Sequence, residues 1–232
     1  MKDTDTIDPA DADCLDRLLT RRYSCRAFLP DPVPQETLER IVTMAQRTAS
    51  WCNSQAWQVV ITRGAATERF RTALLAATDN GTHDSDIPFP REYRDVYLAR
   101  RRECGFQLYD SVGIAKGDRA ASARQGRENF RLFGAPHVAI ISTPEPLGTY
   151  GAVDCGAYVA NFMLAARSLG VASIAQAALA SRSTFVRRHF GIPDDRQVVC
   201  GISLGFEDGG HPANGFRTRR AGIGDVVTWV DA

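Results

Sequence analysis

Residues 21–28, Arg-Arg-Tyr-Ser-Cys-Arg-Ala-Phe, bring three arginines and a serine together just ahead of a turn punctuated by Pro30, Pro32 and Pro34. Arg22, Ser24 and Arg26 alternate, and in extended backbone alternate side chains share one face, so the three converge on one ligand. A guanidinium presents a fixed fork of donors that fits phosphate oxygens two at a time, and a hydroxyl adds another donor. The octet reads as an anion site, with a solvated basic segment as the plainer alternative.

Upstream, Leu15, Leu18 and Leu19 have the spacing of a short helix beginning at Asp13, with residues 1–12 as a flexible tail. Downstream, Leu38, Ile41, Val42 and Ala45 mark one face of an amphipathic helix over residues 35–48. A polar loop with two tryptophans, Ala49 to Trp57, leads into a buried strand over residues 57–62, and residues 65–79 read as helix. Residues 80–90 read as loop. The arginine-rich stretch 91–133 is mostly helical, broken near Gly113 and Gly117, and reads as an excursion over the site rather than as core.

Residues 137–142 form a second strand. Residues 152–169 form a helix apolar on most sides, to be buried on both faces either inside the domain or at a subunit interface. A small-residue segment, 171–180, precedes a helix capped by Ser183 and stopped at Gly191. Residues 198–206 give a third strand, and 226–230 a possible fourth. Few strands among many helices predict an α/β or α+β domain with a central sheet, a single unit over residues 13–232.

Composition narrows the function. The net charge of +1 argues against a general nucleic-acid binder, although the basic residues are nearly all arginine, with Lys2 and Lys116 the only lysines. The acidic, polar start is neither a signal nor a transit peptide, and no apolar run is long enough to span a bilayer, so a cytoplasmic protein is expected. Six scattered cysteines without a Cys-x-x-Cys pair are expected to be free thiols, and four separated histidines lack metal-site spacing. Gly201-Ile-Ser-Leu-Gly205 matches a nucleophile elbow, yet a loop rather than a helix follows it, and a Gly-containing core strand is the better reading. There is no dinucleotide-binding glycine fingerprint and no phosphate-loop lysine motif. The remaining anion-binding candidates are the arginines at 22 and 26 and a second group, Arg217, Arg219 and Arg220. No acid–base pair or activated nucleophile stands out, as suits a protein whose cofactor carries the reaction.

Four stretches, in order, resemble the nitroreductase family of FMN-dependent, NAD(P)H-consuming flavoproteins: Arg22-Tyr-Ser-Cys-Arg-Ala-Phe28, Ser50-Trp-Cys-Asn-Ser-Gln-Ala-Trp57, the segment from Leu169 to Ala178, and Arg220-Ala-Gly-Ile-Gly-Asp-Val-Val227. The resemblance implies an α+β fold with a mixed or antiparallel sheet surrounded by helices, in an intertwined homodimer. It further implies FMN as cofactor, NADH or NADPH as reductant, and ping-pong transfer to a nitroaromatic acceptor of nitrobenzoate type. Quinone reduction or reductive dehalogenation on the same fold, or a flavin-consuming or flavin-sensing role, are its alternatives.

By position, Arg22, Tyr23, Ser24 and Arg26 would hold the phosphate and ribityl end, joined by Arg217 and Arg220. Ser50, Trp51, Cys52, Asn53 and Gln55 would approach from the partner subunit, and Gln176, Ala177 and Ala178 would lie near the reactive edge of the ring. Arg100, Arg101, Phe130 and Phe133 in the helical excursion are the candidates for substrate selection. The departures from the family pattern, Ala49, Trp51, Ala56 and Gly222, imply a reshaped pocket.

Overall fold

The computed structural model describes residues 8–80 and 83–231 of the 232-residue chain. Its framework is a four-stranded sheet in the order β1-β2-β4-β3, built from β1 (Gln58–Ile61), β2 (His137–Pro144), β3 (Ala172–Gln176) and β4 (Arg196–Gly205). Every ladder is antiparallel.

The central strands are buried on both faces because β2 alternates two apolar sets, whereas β1, expected from the sequence to be buried, is an edge strand whose Val59, Val60 and Ile61 stay partly exposed. Ala139 and Ile141 pack with Ile41, Tyr158, Phe162, Ile202 and Leu204, whereas Val138 and Ile140 pack with Phe70, Leu74, Leu132, Ile174 and Leu179. In β4, Cys200 lies in the first layer and Val198 in the second, although both are even positions. A bulge explains this: Ile141 pairs with Cys200 and Ser142 with Val198, so Val199 is the extra residue and every side chain beyond it changes face.

The first layer is closed by α2 (Gln35–Ala45) and α6 (Gly148–Ser168), the second by α3 (Ala65–Asn80) and α8 (Ser183–Phe190). Gly191 ends α8 in the left-handed conformation at φ 64°, the usual stop for a helix. Residues 91–133 are α4 (Asp95–Ser111), α5 (Arg119–Arg127) and a final tight turn, with Gly113 and Gly117 at φ 70° and 91° supplying the break.

Several sequence expectations change. The first helix, α1 (Pro9–Arg21), starts four residues early, because Asp8 accepts the Ala10 N–H at 2.9 Å and Pro9 suits the first turn. Residues 9–12 therefore belong to a helix, and the remainder of the expected tail lies almost wholly outside the described residues. Residues 226–230 form no strand. Val226 and Val227 fold back onto the Ile223 carbonyl, Val230 is 91% exposed, and β propensity without a partner edge does not make a strand. The fourth strand is instead β3, in the small-residue segment, followed by the single turn α7 (Ala177–Ala180).

Within one chain α6 is buried on one side only, through Asp154, Cys155, Tyr158, Val159 and Phe162. Its other side leaves Val153 59% exposed, with Gly156, Ala157 and Ala160 exposed beside it. No described helix is long and apolar enough to cross a membrane.

Candidate functional site

The arginine octet is extended chain hung on the free edge of β3. Arg22 ends α1, Ser24 forms a parallel bridge with Ser173, and the Cys25 N–H donates to the Ser173 carbonyl at 3.2 Å. Cys25, Ala27 and Phe28 turn into the core, leaving Arg22, Ser24 and Arg26 half-exposed on the opposite face. Alternation therefore holds from Ser24 to Ala27, while Tyr23 borders the same cavity as Arg22 and Ser24, and Phe28 turns inward with Ala27.

That cavity, of about 460 Å³, is lined by Arg22, Ser24 and Arg26 with Phe216, Arg217 and Arg220 from the C-terminal arm and Cys104 from α4. Asn214 joins arm to octet. Its Oδ1 accepts the Arg26 N–H at 2.7 Å, while its Nδ2 donates to the carbonyls of Ala27 and Asp208, each at 2.9 Å. Arg217 Nη1 donates to the Asn214 and Phe216 carbonyls at 2.7 and 2.8 Å, which fixes one corner of its guanidinium.

Among the described residues no carboxylate forms an ion pair with Arg22, Arg26, Arg217 or Arg220; the nearby Arg219 is the one that pairs with an acid, Glu103 of α4, at 3.1 Å. Burial, and then the positive charge of Arg220, hold the Arg22 guanidinium below its ordinary value, and burial does the same to Arg26. Cations crowded together without an acid await an anion of matching charge. A phosphate monoester fits this donor set of guanidinium forks and a serine hydroxyl.

The predicted ring-side residues lie farther along the same edge. Because the octet runs parallel to β3, Gln176 is three residues beyond Ser173, about 10 Å at the strand rise. Its side chain faces inward: Nε2 donates to the Asn129 carbonyl at 2.9 Å, and Oε1 accepts the Ser203 hydroxyl. What this edge leaves open to a ligand is backbone and small side chains, with Ala175 and Ala177 exposed and Ala178 half-buried.

Ser203 itself is fully buried in mid-strand, so the nucleophile-elbow pattern is a packing pattern. A Cβ on Gly205 would sit 2.6 Å from Pro136, and one on Gly201 would overlap Leu179.

The tryptophan loop is built differently. Asp154 of α6 accepts the Trp51 N–H at 3.1 Å and the Ser54 hydroxyl at 3.2 Å, and Ser50 Oγ accepts the Gln55 N–H at 2.9 Å. Cys52, Asn53 and Gln55 all have positive φ (49°, 55° and 48°), a concentration of strain that functional loops carry. Trp51, 64% exposed, leans on Tyr150 with ring centroids 5.1 Å apart. None of residues 50–55 lines the arginine cavity of its own chain.

Arg100 lines an adjoining cavity with Glu103, Arg219 and Arg220, whereas Arg101 lies over the Tyr93 ring at 5.1 Å. Phe130 and Phe133 belong to the second core layer; Phe133, 6% exposed, shows an edge to a third cavity that includes Arg26.

Sequence reading missed Asn214, Phe216 and Asp154. Asp154 left a signal, a single acid in an apolar helix, since a buried carboxylate must find donors. Asn214 left none, because its partner Arg26 is 188 positions away.

The sheet and helical cover define an α+β protein, and the arginine cavity is its candidate anion site. The Nitroreductase family model matches residues 19–206. Nitroreductase NfnB of Mycolicibacterium smegmatis is 36% identical over 96% of this chain and 94% of its own, and a 4-nitrobenzoate reductase of Pseudomonas putida is 29% identical over 90% and 92%. The crystal structure of the FMN-dependent nitroreductase NfnB from Mycobacterium smegmatis in complex with NADPH superimposes with a TM-score of 0.91 at 33% identity, covering 95% of this chain and 99% of that one. The chain belongs to the nitroreductase family.

Proposed function

We propose that this protein is an FMN-dependent oxidoreductase that passes reducing equivalents from NADPH or NADH to nitroaromatic acceptors, nitrobenzoates among them. The observation that carries the reading is the cavity in which Arg22, Arg26, Arg217 and Arg220 gather without a carboxylate, at one end of the β3 edge of a nitroreductase-family fold. NfnB and the 4-nitrobenzoate reductase support the reductant and the acceptor class.

FMN when bound would supply hydride acceptance from the nicotinamide and its delivery to the acceptor. Arg22, Ser24, Arg217 and Arg220 hold the phosphate through charge-assisted hydrogen bonds. Arg26, two residues beyond Ser24, adds a further guanidinium to that grip. The backbone of Ala177 and Ala178 orients the ring edge, and α4 with its Arg100 covers the site.

The second contact set requires a second chain. The Trp51 loop projects Trp51 and Cys52 outward, and α6, α1 and the C-terminal arm leave Val153, Leu15, Leu19, Val226 and Trp229 exposed. An interface made of these faces would bury them and bring Ser50, Trp51, Cys52, Asn53 and Gln55 to the partner's site.

Purified protein is expected to be yellow and dimeric, and to oxidise NADPH when 4-nitrobenzoate is added. Colourless protein that takes up no FMN, or flavin-loaded protein whose NADPH oxidation ignores every nitroaromatic offered, would overturn the reading.

A further inference from the structure

Two arginine–aromatic contacts cross the arginine site in opposite senses. Arg217 of the C-terminal arm has its guanidinium carbon 3.5 Å from the centroid of the Tyr23 ring, and Arg26 of the octet has its own 5.4 Å from the centroid of the Phe216 ring. Each segment therefore contributes one cation and one ring.

Tyr23 is oriented for this from behind. Its hydroxyl donates to Glu207 Oε2 at 2.9 Å, and the same oxygen lies 3.5 Å from Arg167 Nη1. With the hydroxyl tied there, the ring face is what Tyr23 turns to Arg217.

The choice of partner has a chemical consequence. A carboxylate could hold Arg217 equally well, but it would neutralise the charge and occupy the N–H edge that a phosphate needs. A ring holds a guanidinium by its flat face and leaves the edge donors free. Arg217 Nη1 is engaged by two carbonyls, and Arg26 Nη1 by the Ser24 carbonyl at 3.0 Å, so each arginine is fixed at one nitrogen and one face.

We propose that Tyr23 and Phe216 are positioning residues, a reciprocal arginine–aromatic clasp that presets Arg217 and Arg26 for a phosphate monoester. The clasp thereby favours the phosphorylated flavin over its phosphate-free form. Tyr23, which the sequence suggested as a cofactor contact, acts through Arg217 instead. This rests on the FMN reading above.

The test compares FMN with riboflavin, which shares the ring and ribityl chain but lacks the phosphate. Flavin-stripped wild type, Tyr23→Leu, Phe216→Leu and Tyr23→Phe are titrated with each flavin by fluorescence quenching, and thermal midpoints are recorded alongside. Tyr23→Leu and Phe216→Leu are expected to weaken FMN binding about two- to thirtyfold, the span of an arginine–aromatic contact between exposed and desolvated limits, with riboflavin affinity unchanged. Tyr23→Phe, which keeps the ring, should keep most of the wild-type FMN-to-riboflavin ratio.

An equal loss for both flavins, unchanged FMN affinity in both leucine variants, or a Tyr23→Phe loss as large as that of Tyr23→Leu would each overturn the clasp. If Tyr23→Leu does not fold, Phe216→Leu decides alone. A wild type that prefers FMN while the leucine variants match it removes the clasp and leaves the cofactor reading intact; a wild type that binds neither flavin removes both.

Discussion

Two populations of arginine divide this molecule. Arg187 of α8 pairs with Asp86, whose carboxylate also accepts the Val198 N–H at 2.8 Å, and together they tie the 83–87 segment to α8 and the sheet. Arg196 gives hydrogen bonds to the Ser142 carbonyl at 2.8 Å and the Ala56 carbonyl at 3.1 Å, and Arg71 caps the Arg131 and Ala135 carbonyls at 2.9 and 2.6 Å while pairing with Glu68. These guanidiniums are answered from within the chain. Arg26, Arg217 and Arg220 meet aromatic faces, backbone carbonyls and, for Arg220, the Thr218 hydroxyl at 2.8 Å, with no acid paired to them among the described residues, and Arg22 and Arg220 oppose one another. The first population holds the fold; the second is held by the fold for something else.

The sharpest way to break this division is to remove an acid from the first group. Asp86→Ala leaves Arg187, about 15% exposed, with only the solvent-exposed Asp194 at 3.9 Å, and the loss of the buried member of such a pair costs about 3–5 kcal/mol. Urea unfolding should show that loss, with FMN affinity of the still-folded protein unchanged; a loss below about 1 kcal/mol would move Arg187 out of the structural group.

Arg22→Ala is the mirror experiment. It should weaken FMN binding about ten- to a hundredfold, as the deletion of a charge-assisted hydrogen bond does, while the apo protein melts no earlier than wild type because a like-charge contact with Arg220 is relieved. An apo melting point several degrees lower would show that Arg22 supports the fold after all.

Asp154→Asn asks whether the Trp51 loop is held as the structure indicates. Weakened acceptance of the Trp51 N–H and the Ser54 hydroxyl should cost about 1–2 kcal/mol and raise hydrogen exchange at the Trp51 amide, with FMN uptake reduced only in the dimer. Unchanged exchange there would dissolve the tie between α6 and the loop.

The smallest effect is pH dependence at buried His137, whose Nε2 accepts the Val33 N–H at 3.0 Å and whose Nδ1 faces the Thr62 carbonyl at 3.0 Å. Burial, with a lesser contribution from Arg63, lowers its folded value below the ordinary 6.5, so the unfolded chain takes up the proton first. Its share of stability is complete above about pH 6.5 and is lost as pH falls through the folded value. His137→Gln should flatten that limb of the stability curve; an unaltered limb would assign it to other groups.

Much of this division was legible in the sequence, for reasons that differ by element. β1, β2 and β4 are dense in valine and isoleucine and bounded by glycine or proline, so they announce themselves. β3, Ala-Ser-Ile-Ala-Gln, has no such density and is a strand because β4 pairs with it, whereas the valines at 226, 227 and 230 find no edge and stay irregular. The site arginines showed in residue type and alternation. What holds them did not, because Asn214 with Arg26, and Tyr23 with Arg217, are tertiary pairs across nearly the whole chain. The strain at Cys52, Asn53 and Gln55 was equally invisible, since none is a glycine that would advertise positive φ.

Whether the unpaired arginines form a phosphate grip is decided by titrating flavin-stripped wild-type protein with FMN and with riboflavin. With at least two charge-assisted arginine contacts to the phosphate, FMN should bind tighter than riboflavin by about a hundredfold or more, with the gap narrowing as salt is raised. Equal affinities for the two flavins, insensitive to salt, would contradict the grip.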